Sequence, residues 1–259
     1  MAWAFTIDAT PRGKAIHVVQ RLTGYELGRL VTMPFMTALH GEVRELLRSL
    51  VPPDASVLDV GGRKSWYTVG LPFDVTVSDI PRKSEIQRAL HLGMSEQIGA
   101  NLADHRSNIR EIVMDDMSDT GLGSGTFDAV VSVEVIEHVD DDRAFVGNIR
   151  KVLRPGGVAI LTTPNGDRDP TPRGDHRRHY RRRELDQLLA EHFDHVVVSY
   201  SIAATPARTR GLASWSPRHP LRTLSSATAN VVNRRQSARP STRFEPMAAG
   251  HLIAVATRS

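Results

Sequence analysis

The sequence predicts an α/β protein built on a doubly wound parallel sheet, and three observations lead to this prediction. Strand and helix patterns alternate along the chain from residue 56 onward, which is typical of successive β-α-β units. One predicted strand, Phe127–Val133, is a continuous apolar run, as expected of a parallel strand covered on both faces. Acidic residues directly follow three of the predicted strands, at the sheet edge where such folds bind ligands.

The predicted elements follow from short apolar runs and from helical spacing of apolar residues. The predicted strands are Ser56–Val60, Phe73–Ser78, Ile109–Met114, Phe127–Val133, Val158–Thr163, Val196–Tyr200 and His251–Thr257. Helices are predicted over residues 84 to about 104, 141–153 and 182–192. The sequence Arg154-Pro155-Gly156-Gly157 predicts a helix stop followed by a turn.

Two further segments are set apart from this alternation. Residues 1–53 are predicted to form an N-terminal helical cap that ends at Pro52-Pro53, and residues 54–259 form the α/β domain. That domain is interrupted at about 204–246 by a segment with eight arginines, five prolines and one acid. Its composition fits a lid, a docking element or a partly disordered loop.

The composition excludes several classes of protein. The chain has no cysteine, so a disulfide framework, a thiolate metal site and a cysteine nucleophile are excluded. It has no apolar run near the roughly 20 residues of a membrane span and no secretory signal pattern, so a cytoplasmic protein is expected. Net charge is +4, with arginines concentrated at 173–183 and 204–246. Such clusters suit phosphate groups, acidic lipid surfaces or nucleic acid, or simply a solvated surface.

Small and acidic residues follow the first three predicted strands. Asp59-Val60-Gly61-Gly62 ends the first strand, where small residues allow a ligand to approach the backbone. Asp79 ends the second and is placed to accept hydrogen bonds from two ribose hydroxyls. Asp115-Asp116-Met117 ends the third, with a carboxylate for an adenine amino group and a thioether to cover the ring. Together these residues predict a nucleoside site.

The stretch from Ile112 to Gly166 resembles the methyltransferase family that includes the ubiquinone-biosynthesis O-methyltransferases. The matching pieces are Thr126-Phe127-Asp128-Ala129-Val130-Val131, Glu134-Val135-Ile136-Glu137-His138-Val139, Val152-Leu153-Arg154-Pro155-Gly156-Gly157 and Thr162-Thr163-Pro164-Asn165. With Val57–Gly62 and Asp79 the resemblance covers residues 55–200. It implies a Rossmann-like sheet of seven strands with the last strand antiparallel, and a class I S-adenosyl-L-methionine-dependent enzyme.

The resemblance also assigns the donor site. It implies that Asp59 and Gly61, with Gly62 beside them, flank the methionine part of S-adenosyl-L-methionine. It also implies that Asp79 binds the ribose and that Asp115-Asp116-Met117 bind the adenine. Glu134 completes the implied site. The first loop departs from the family because Arg63 and Ser65 occupy positions that are usually glycine. A nicotinamide-binding protein is the rival interpretation, but the phosphate-binding Gly-x-Gly-x-x-Gly pattern is absent.

Glu134, Glu137 and His138 follow the fourth predicted strand. In a helical turn these spacings place all three side chains on one face, where they form a candidate site for a divalent metal. The alternative is that they serve packing and helix capping. The Glu-x-x-Glu-His pattern resembles that of metal-using ubiquinone-pathway enzymes and small-RNA 2′-O-methyltransferases, and by that resemblance His176 is the fourth ligand, with His179 in reserve.

These residues predict an O-methyltransferase assisted by a divalent metal, with Mg²⁺ as the expected ion. The metal lowers the pKa of an acceptor hydroxyl; alternatively, His138 or His176 acts as a metal-free general base. The expected acceptor is a small molecule or a saccharide, with a quinone precursor and an RNA ribose as alternatives. A methyltransferase-like scaffold without catalysis is the non-enzymatic alternative, and the sequence leaves the oligomeric state open.

Overall fold

The fold is a single sheet of seven strands with helices on both faces, as seen in a computed structural model that describes residues 22–82, 93–172, 174–213, 215–216 and 218–259. The strands are β1 (Ser56–Val60), β2 (Asp74–Asp79), β3 (Ile109–Met114), β4 (Phe127–Val133), β5 (Leu153–Pro164), β6 (His195–Ala203) and β7 (Ala249–Thr257). Their spatial order is β3-β2-β1-β4-β5-β7-β6. Pairing is parallel from β3 to β5, whereas β7 runs antiparallel to both of its neighbours. The predicted sheet is therefore confirmed, including its one antiparallel strand.

The helices that cover the sheet agree closely with the sequence patterns. They are α1 (Gly24–Thr32), α2 (Ala38–Leu50), α3 (Glu96–His105), α4 (Asp142–Val152) and α5 (Arg182–Ala190). The predicted helix over 84–104 is confirmed in its second half, and residues 83–92 lie outside the described part, as does the start of the predicted N-terminal cap. No helix among the described residues is long and apolar enough to cross a bilayer.

The core lies in two layers, one on each face of the sheet. Side chains of β4 alternate between the layers: Val130 packs with α4 and α5, whereas Ala129 and Val131 pack with α2. All three are fully buried. This explains why the sequence of β4 is apolar throughout, since a parallel strand covered on both faces has no solvent-facing side.

The predicted turn at residues 154–157 is instead the irregular start of β5. Pairing between β4 and β5 shifts register between Phe127 and Ala129, and Gly156 has a φ of +77°. A left-handed residue at this point lets the chain leave α4 and enter the sheet without a separate loop.

The insertion between β6 and β7 folds into three helices, α6 (Pro206–Gly211), α7 (Pro220–Ser237) and α8 (Pro240–Phe244). Because Ala203 pairs with Ala249 and Pro164 with His251, the insertion begins and ends at the edge formed by the carboxyl ends of β1 to β5. A lid or docking element therefore fits the structure better than a disordered loop.

The insertion is tied to the N-terminal part of the chain. Asn230 donates from its side-chain amide to the Phe35 carbonyl at 3.0 Å, and the guanidinium of Arg243 lies 2.6 Å from the Glu42 carboxylate. The α2 helix is itself part of the core, with Val43 and Leu47 fully buried against the sheet.

Candidate active site at the carboxyl edge of the sheet

Two glycines shape the loop after β1. Gly61 has a φ of +70°, and a Cβ there would lie 2.6 Å from Cγ2 of Val135. A Cβ on Gly62 would overlap the carboxylate of Asp59. Both positions therefore require glycine, and the loop packs directly against the segment that follows β4. The whole connection from β1 to β2 contains a single 3-10 turn, Gly62–Lys64, where most parallel strand pairs have a helix.

Asp59 is fully buried within a network of protein groups. Its carboxylate accepts hydrogen bonds from the hydroxyl of Tyr67 at 2.7 Å and from that of Thr68 at 3.3 Å. Burial raises the pKa of Asp59 to about 6, although these hydrogen bonds and the charge of Arg106 oppose the rise. The carboxylate thus stabilises the loop after β1 through buried hydrogen bonds, a role that the sequence analysis did not predict.

Asp79 lies at the end of β2, where the sequence places the ribose-binding acid. Its Oδ1 accepts from the backbone N–H of Ile80 at 2.9 Å, and its Oδ2 is 3.7 Å from Nε of Arg63. Burial raises the pKa of Asp79, and Arg63 opposes the rise. Two residues depart from the family loop. The Ser65 hydroxyl points inward and donates to the Gly62 carbonyl, whereas Arg63 contacts Asp79, the residue predicted to bind the ribose.

The residues after β3 divide into exposed and buried groups. The carboxylate of Asp115 accepts from the hydroxyl of Thr120 at 2.6 Å and from the backbone N–H of Gly121 at 3.0 Å. Asp116 is exposed and caps the short turn that follows. Met117 is 2 % exposed and belongs to the core, so its thioether packs beneath the sheet edge rather than lying open at it.

Glu134 occupies a strained position at the end of β4. Its φ is +56°, a conformation that costs a non-glycine residue roughly 1–3 kcal/mol and that often marks functional sites. One carboxylate oxygen accepts from the hydroxyl of Thr162 at 3.1 Å, and the other lies 3.2 Å from Nε2 of His251. Burial opposes ionisation, but His251 and Thr162 outweigh it and lower the pKa of Glu134.

Glu137, His138 and His176 form a compact group. Each offers one ligand atom, and the three atoms lie within 4.8 Å of one another. Glu134 is not part of this group because its carboxylate faces His251, so the structure brings together three of the four predicted metal ligands. The reason is local: residues 136–138 form a 3-10 turn, while Glu134 precedes it in a left-handed conformation.

Glu137 is completely buried beside this group. Its Oε2 accepts from the hydroxyl of Thr163 at 3.2 Å, whereas its Oε1 has no hydrogen-bond partner among the described residues. Burial raises the pKa of Glu137 well above its ordinary value, and the nearby charge of Glu134 adds to the rise. A buried carboxylate oxygen without a donor is costly, and a cation would satisfy it.

Hydrogen bonds orient both imidazoles of the group. Nδ1 of His138 lies 3.2 Å from the carboxylate of Asp175. Nδ1 of His179 lies 2.7 Å from the Asp169 carbonyl, so that nitrogen donates and its Nε2 accepts from Nδ1 of His176 at 2.8 Å. In both His138 and His176 the free nitrogen is therefore Nε2. His179, the reserve ligand of the sequence analysis, contacts a ligand instead of joining the group.

Three further residues of the site were missed by the sequence analysis. His251 contacts Glu134, and Nη2 of Arg208 lies 3.0 Å from Nε2 of His251. His40 lies on α2, and burial lowers its pKa to about 4. These residues come from the insertion, the last strand and the N-terminal helix, so no local motif connects them to residues 134–138.

Two arginines of the predicted basic cluster at 173–183 are paired with acids. Arg177 lies 3.0 Å from Asp140 and Arg178 lies 2.5 Å from Asp142, while Arg173 lies outside the described residues. These contacts hold the loop after β5 against the start of α4. They account for two of the cluster's arginines without any ligand.

Comparisons with known proteins agree with this geometry. Residues 36–200 match a family model described as a methyltransferase domain. A ubiquinone biosynthesis O-methyltransferase from Caulobacter vibrioides is 32 % identical over 113 residues, which is 42 % of this chain and 41 % of that protein. A probable S-adenosylmethionine-dependent methyltransferase from Mycolicibacterium smegmatis is 37 % identical over 78 residues, 28 % of this chain and 30 % of that protein. The chain thus spans less than half the length of these relatives.

Among solved structures, the fold is similar to that of 1,6-didemethyltoxoflavin-N1-methyltransferase from Burkholderia thailandensis, determined with S-adenosylhomocysteine. The TM-score is 0.55 at 19 % identity, covering 91 % of this chain and 84 % of that one. At this identity the likeness shows the fold alone. The family match covers well over half of the chain, and the sheet order and strand-end acids agree with it. The chain belongs to the class I S-adenosylmethionine-dependent methyltransferases.

Proposed function

We propose that this protein is an O-methyltransferase that uses a divalent cation to activate a hydroxyl of a small molecule or saccharide. The observation that supports the proposal most strongly is the group formed by Glu137, His138 and His176, with ligand atoms within 4.8 Å of one another. The relatives named as ubiquinone biosynthesis O-methyltransferases support oxygen as the acceptor atom.

The residues of this group fit a hard or borderline divalent ion. Two imidazole nitrogens suit a borderline ion such as Zn²⁺, while the carboxylate oxygen also suits Mg²⁺ or Mn²⁺. Glu137 supplies the buried oxygen that lacks a partner, and His138 and His176 supply Nε2 atoms. The outer contacts from Asp175 and His179 fix the two rings, as is usual for metal-binding histidines.

A cation held there would lower the pKa of the acceptor hydroxyl and fix its position. The chain's own residues provide the rest. Glu134 follows β4 and Thr163 lies near the end of the adjacent strand β5, where its hydroxyl donates to Glu137. The rigid strand ends hold acceptor and donor in register, which supplies much of the rate of a bimolecular displacement. In that displacement the carbon–sulfur bond of the sulfonium breaks as the carbon–oxygen bond forms, and the hydroxyl proton passes to solvent.

A metal-free route is the second candidate within the same site. Nε2 of His138 faces away from its contact with Asp175 and has the geometry of a general base, with Asp175 orienting the ring much as a carboxylate orients the base in hydrolases. In this route the hydroxyl proton passes to His138. The two routes differ in their response to chelators.

The test is methyl transfer from radiolabelled S-adenosylmethionine to a panel of monosaccharides, catechols and ribonucleosides, with Mg²⁺ or with EDTA. We expect transfer with Mg²⁺, loss with EDTA and recovery when Mg²⁺ is returned. A Glu137→Ala, His138→Ala double variant should be inactive. Transfer that is indifferent to both EDTA and this double substitution would contradict a role for the group, while transfer that resists EDTA but is lost in His138→Ala would establish the general-base route.

The scaffold alternative is supported by one observation, the Arg63–Asp79 contact at the predicted ribose site. It predicts that S-adenosylhomocysteine does not bind. Calorimetric titration of S-adenosylhomocysteine into the purified protein decides this point, and micromolar binding would exclude the scaffold alternative.

A further inference from the structure

An open cleft of about 660 Å³ lies beside the candidate active site, at the carboxyl ends of β5 and β6. It is lined by residues of the loop after β5 and of the first part of the insertion: Arg168, Ala204, Thr205, Pro206, Arg208, Thr209 and Arg210. The cleft is of the size of typical small-molecule sites. Three of its seven lining residues are arginines, and none is an acid.

Several arginines elsewhere in the molecule are neutralised by a neighbouring carboxylate. Arg143, Arg154, Arg177, Arg178 and Arg243 each lie within 3.0 Å of a carboxylate oxygen. By contrast, within the described part of the chain, none of the three cleft arginines has a carboxylate oxygen within 4.0 Å. Arg168 donates to the Met247 carbonyl, and Nη2 of Arg208 lies 3.0 Å from Nε2 of His251. Neither contact neutralises the charge of the guanidinium.

The proximity of these positive charges is unfavourable in the free protein. Burial lowers the pKa of Arg208; the carboxylate of Glu134 opposes this effect, and the charge of Arg168 adds to it. Like charges gathered in a concave site raise the local concentration of anions. Guanidinium groups also bind oxyanions through paired, charge-assisted hydrogen bonds. The cleft therefore has the chemistry of an anion site.

One chain of contacts connects the cleft with Glu134, and a second connects it with the candidate metal group. Arg208 contacts His251, which contacts Glu134 at the end of β4. On the other side, Arg168 directly precedes Asp169, whose carbonyl accepts from His179, the residue that orients His176. The cleft thus lies on the β5-β7-β6 side of the sheet, away from the predicted nucleoside site at β2 and β3. A ligand that fills it is the acceptor rather than the methyl donor.

Building on the function proposed above, we propose that the acceptor carries a phosphate or similar oxyanion at the end remote from the methylated hydroxyl, held by Arg168, Arg208 and Arg210. The hydroxyl of Thr209, which also lines the cleft, is a further donor for the oxyanion. The cleft volume suits a sugar phosphate or a mononucleotide. A phosphate monoester is the best match because its two negative charges balance more of the arginine charge than a single carboxylate does.

The test measures binding alone, by calorimetry on the full chain without donor or added metal. The probes are inorganic phosphate, malonate, and the matched pair ribose 5-phosphate and ribose. We expect ribose 5-phosphate to bind at least tenfold more tightly than ribose, and inorganic phosphate to compete with it. Binding of malonate in preference to phosphate would assign the oxyanion to a carboxylate-bearing acceptor, whereas absence of binding by every anion would overturn the proposal.

Variants assign the binding to the cleft. An Arg168→Ala, Arg210→Ala double variant is expected to lose at least tenfold in ribose 5-phosphate affinity. Arg235→Ala, which removes an exposed arginine of α7 that does not line the cleft, is the matched control and should bind like the wild type. Equal losses in both proteins would show general charge attraction and contradict the proposal.

The same variants keep this proposal separable from the metal-assisted mechanism. Mn²⁺ and S-adenosylhomocysteine affinities of the double variant should remain within about twofold of wild type, because neither arginine belongs to those sites. Oxyanion binding with no metal effect on methyl transfer would refute the metal role alone. Metal-dependent transfer with no oxyanion binding would refute the cleft proposal alone.

Discussion

At the carboxyl edge of the sheet, the donor side (β1 and β2) and the acceptor side (β4, β5 and the cleft) differ in how the hydrogen bonds and charges of their polar groups are satisfied. On the donor side, the protein provides partners for both strand-end acids: Tyr67 and Thr68 donate to Asp59, and Nε of Arg63 lies 3.7 Å from Asp79. On the acceptor side, Glu137 retains an unpartnered buried oxygen, and the cleft arginines lack carboxylate partners in the described structure. The acids of the donor side are already bound by protein groups, while the acceptor side has polar groups that are available to bind a ligand.

This difference indicates which ligands must replace existing contacts and which ones fill open positions. A nucleoside that binds at Asp79 has to displace or share the Arg63 contact, so part of its binding energy offsets the loss of an ion pair. A cation at Glu137 breaks no ion pair among the described residues and displaces only the proton that the raised pKa of this carboxyl favours.

Glu137→Gln is expected to weaken divalent cation binding roughly a thousandfold, because it removes the anionic ligand and leaves two imidazoles. Mn²⁺ binding measured by electron paramagnetic resonance gives the affinity. Glu111→Gln, at an exposed position of β3, is the control and should bind as wild type. If the Glu137 variant bound Mn²⁺ as tightly as wild type, the cation would not be bound by this group.

Asp59→Asn tests the closed network of the donor side through its pH dependence. The folded protein holds the Asp59 proton up to a pKa of about 6, whereas the unfolded chain releases it near 3.8. Stability from this group is therefore greatest below pH 4 and falls as the pH rises through 6, by about 3 kcal/mol in total.

Asp59→Asn cannot ionise, so the stability of the variant relative to wild type should increase between pH 4 and pH 7. Urea unfolding across this range measures the difference. Asp119→Asn, at an exposed position, should show no comparable trend. A difference between Asp59→Asn and wild type that does not vary with pH would mean that Asp59 does not titrate in this window.

Asp79→Asn is expected to weaken S-adenosylhomocysteine binding about 10- to 100-fold, the effect of losing charge-assisted hydrogen bonds to ribose. Asp74→Asn, at the opposite end of the same strand, is the matched control. Calorimetry gives both affinities. Unchanged binding in Asp79→Asn would place the nucleoside elsewhere on the sheet edge.

His179→Ala is expected to weaken Mn²⁺ binding about tenfold, since outer contacts that orient a metal-binding histidine typically contribute 10- to 100-fold in affinity. His195→Ala, which removes an exposed histidine at the start of β6, should have no effect. A loss as large as that of Glu137→Gln would instead identify His179 as a ligand.

Arg63→Ala should have the smallest effect and the opposite sign. Removing the guanidinium from Asp79 frees the carboxylate for ribose hydroxyls, so S-adenosylhomocysteine should bind several-fold more tightly. Weaker binding would show that Arg63 contacts the donor itself, which would mean that the donor side is less closed than the structure suggests.

The sequence predicted the sheet well because its signals are local. The run Phe127–Val133 is apolar throughout since both its faces are covered, and the predicted bounds of β1, β3 and β4 agree with the structure. The β1–β2 connection, which has no α-helix, and the irregular start of β5 were less predictable because they depend on packing against neighbouring strands.

The candidate site was predictable only where a motif is contiguous. Glu137 and His138 belong to one turn, and His176 was identified by resemblance. His251 lies on β7, Arg208 in the insertion and His40 on α2, all far from residues 134–138 in sequence. Their spacing along the chain therefore does not predict that they belong to the site. The separation of Glu134 from the metal group follows from its left-handed conformation, which spacing arguments for a helical turn do not include.

Anomalous X-ray diffraction from crystals grown with Mn²⁺ and S-adenosylhomocysteine tests the central claim most directly. We predict a single strong manganese peak within coordination distance of Glu137, His138 and His176, with the nucleoside along the ends of β1 and β2. Bound S-adenosylhomocysteine with no peak at these three residues, or a peak elsewhere, would contradict the metal-assisted mechanism.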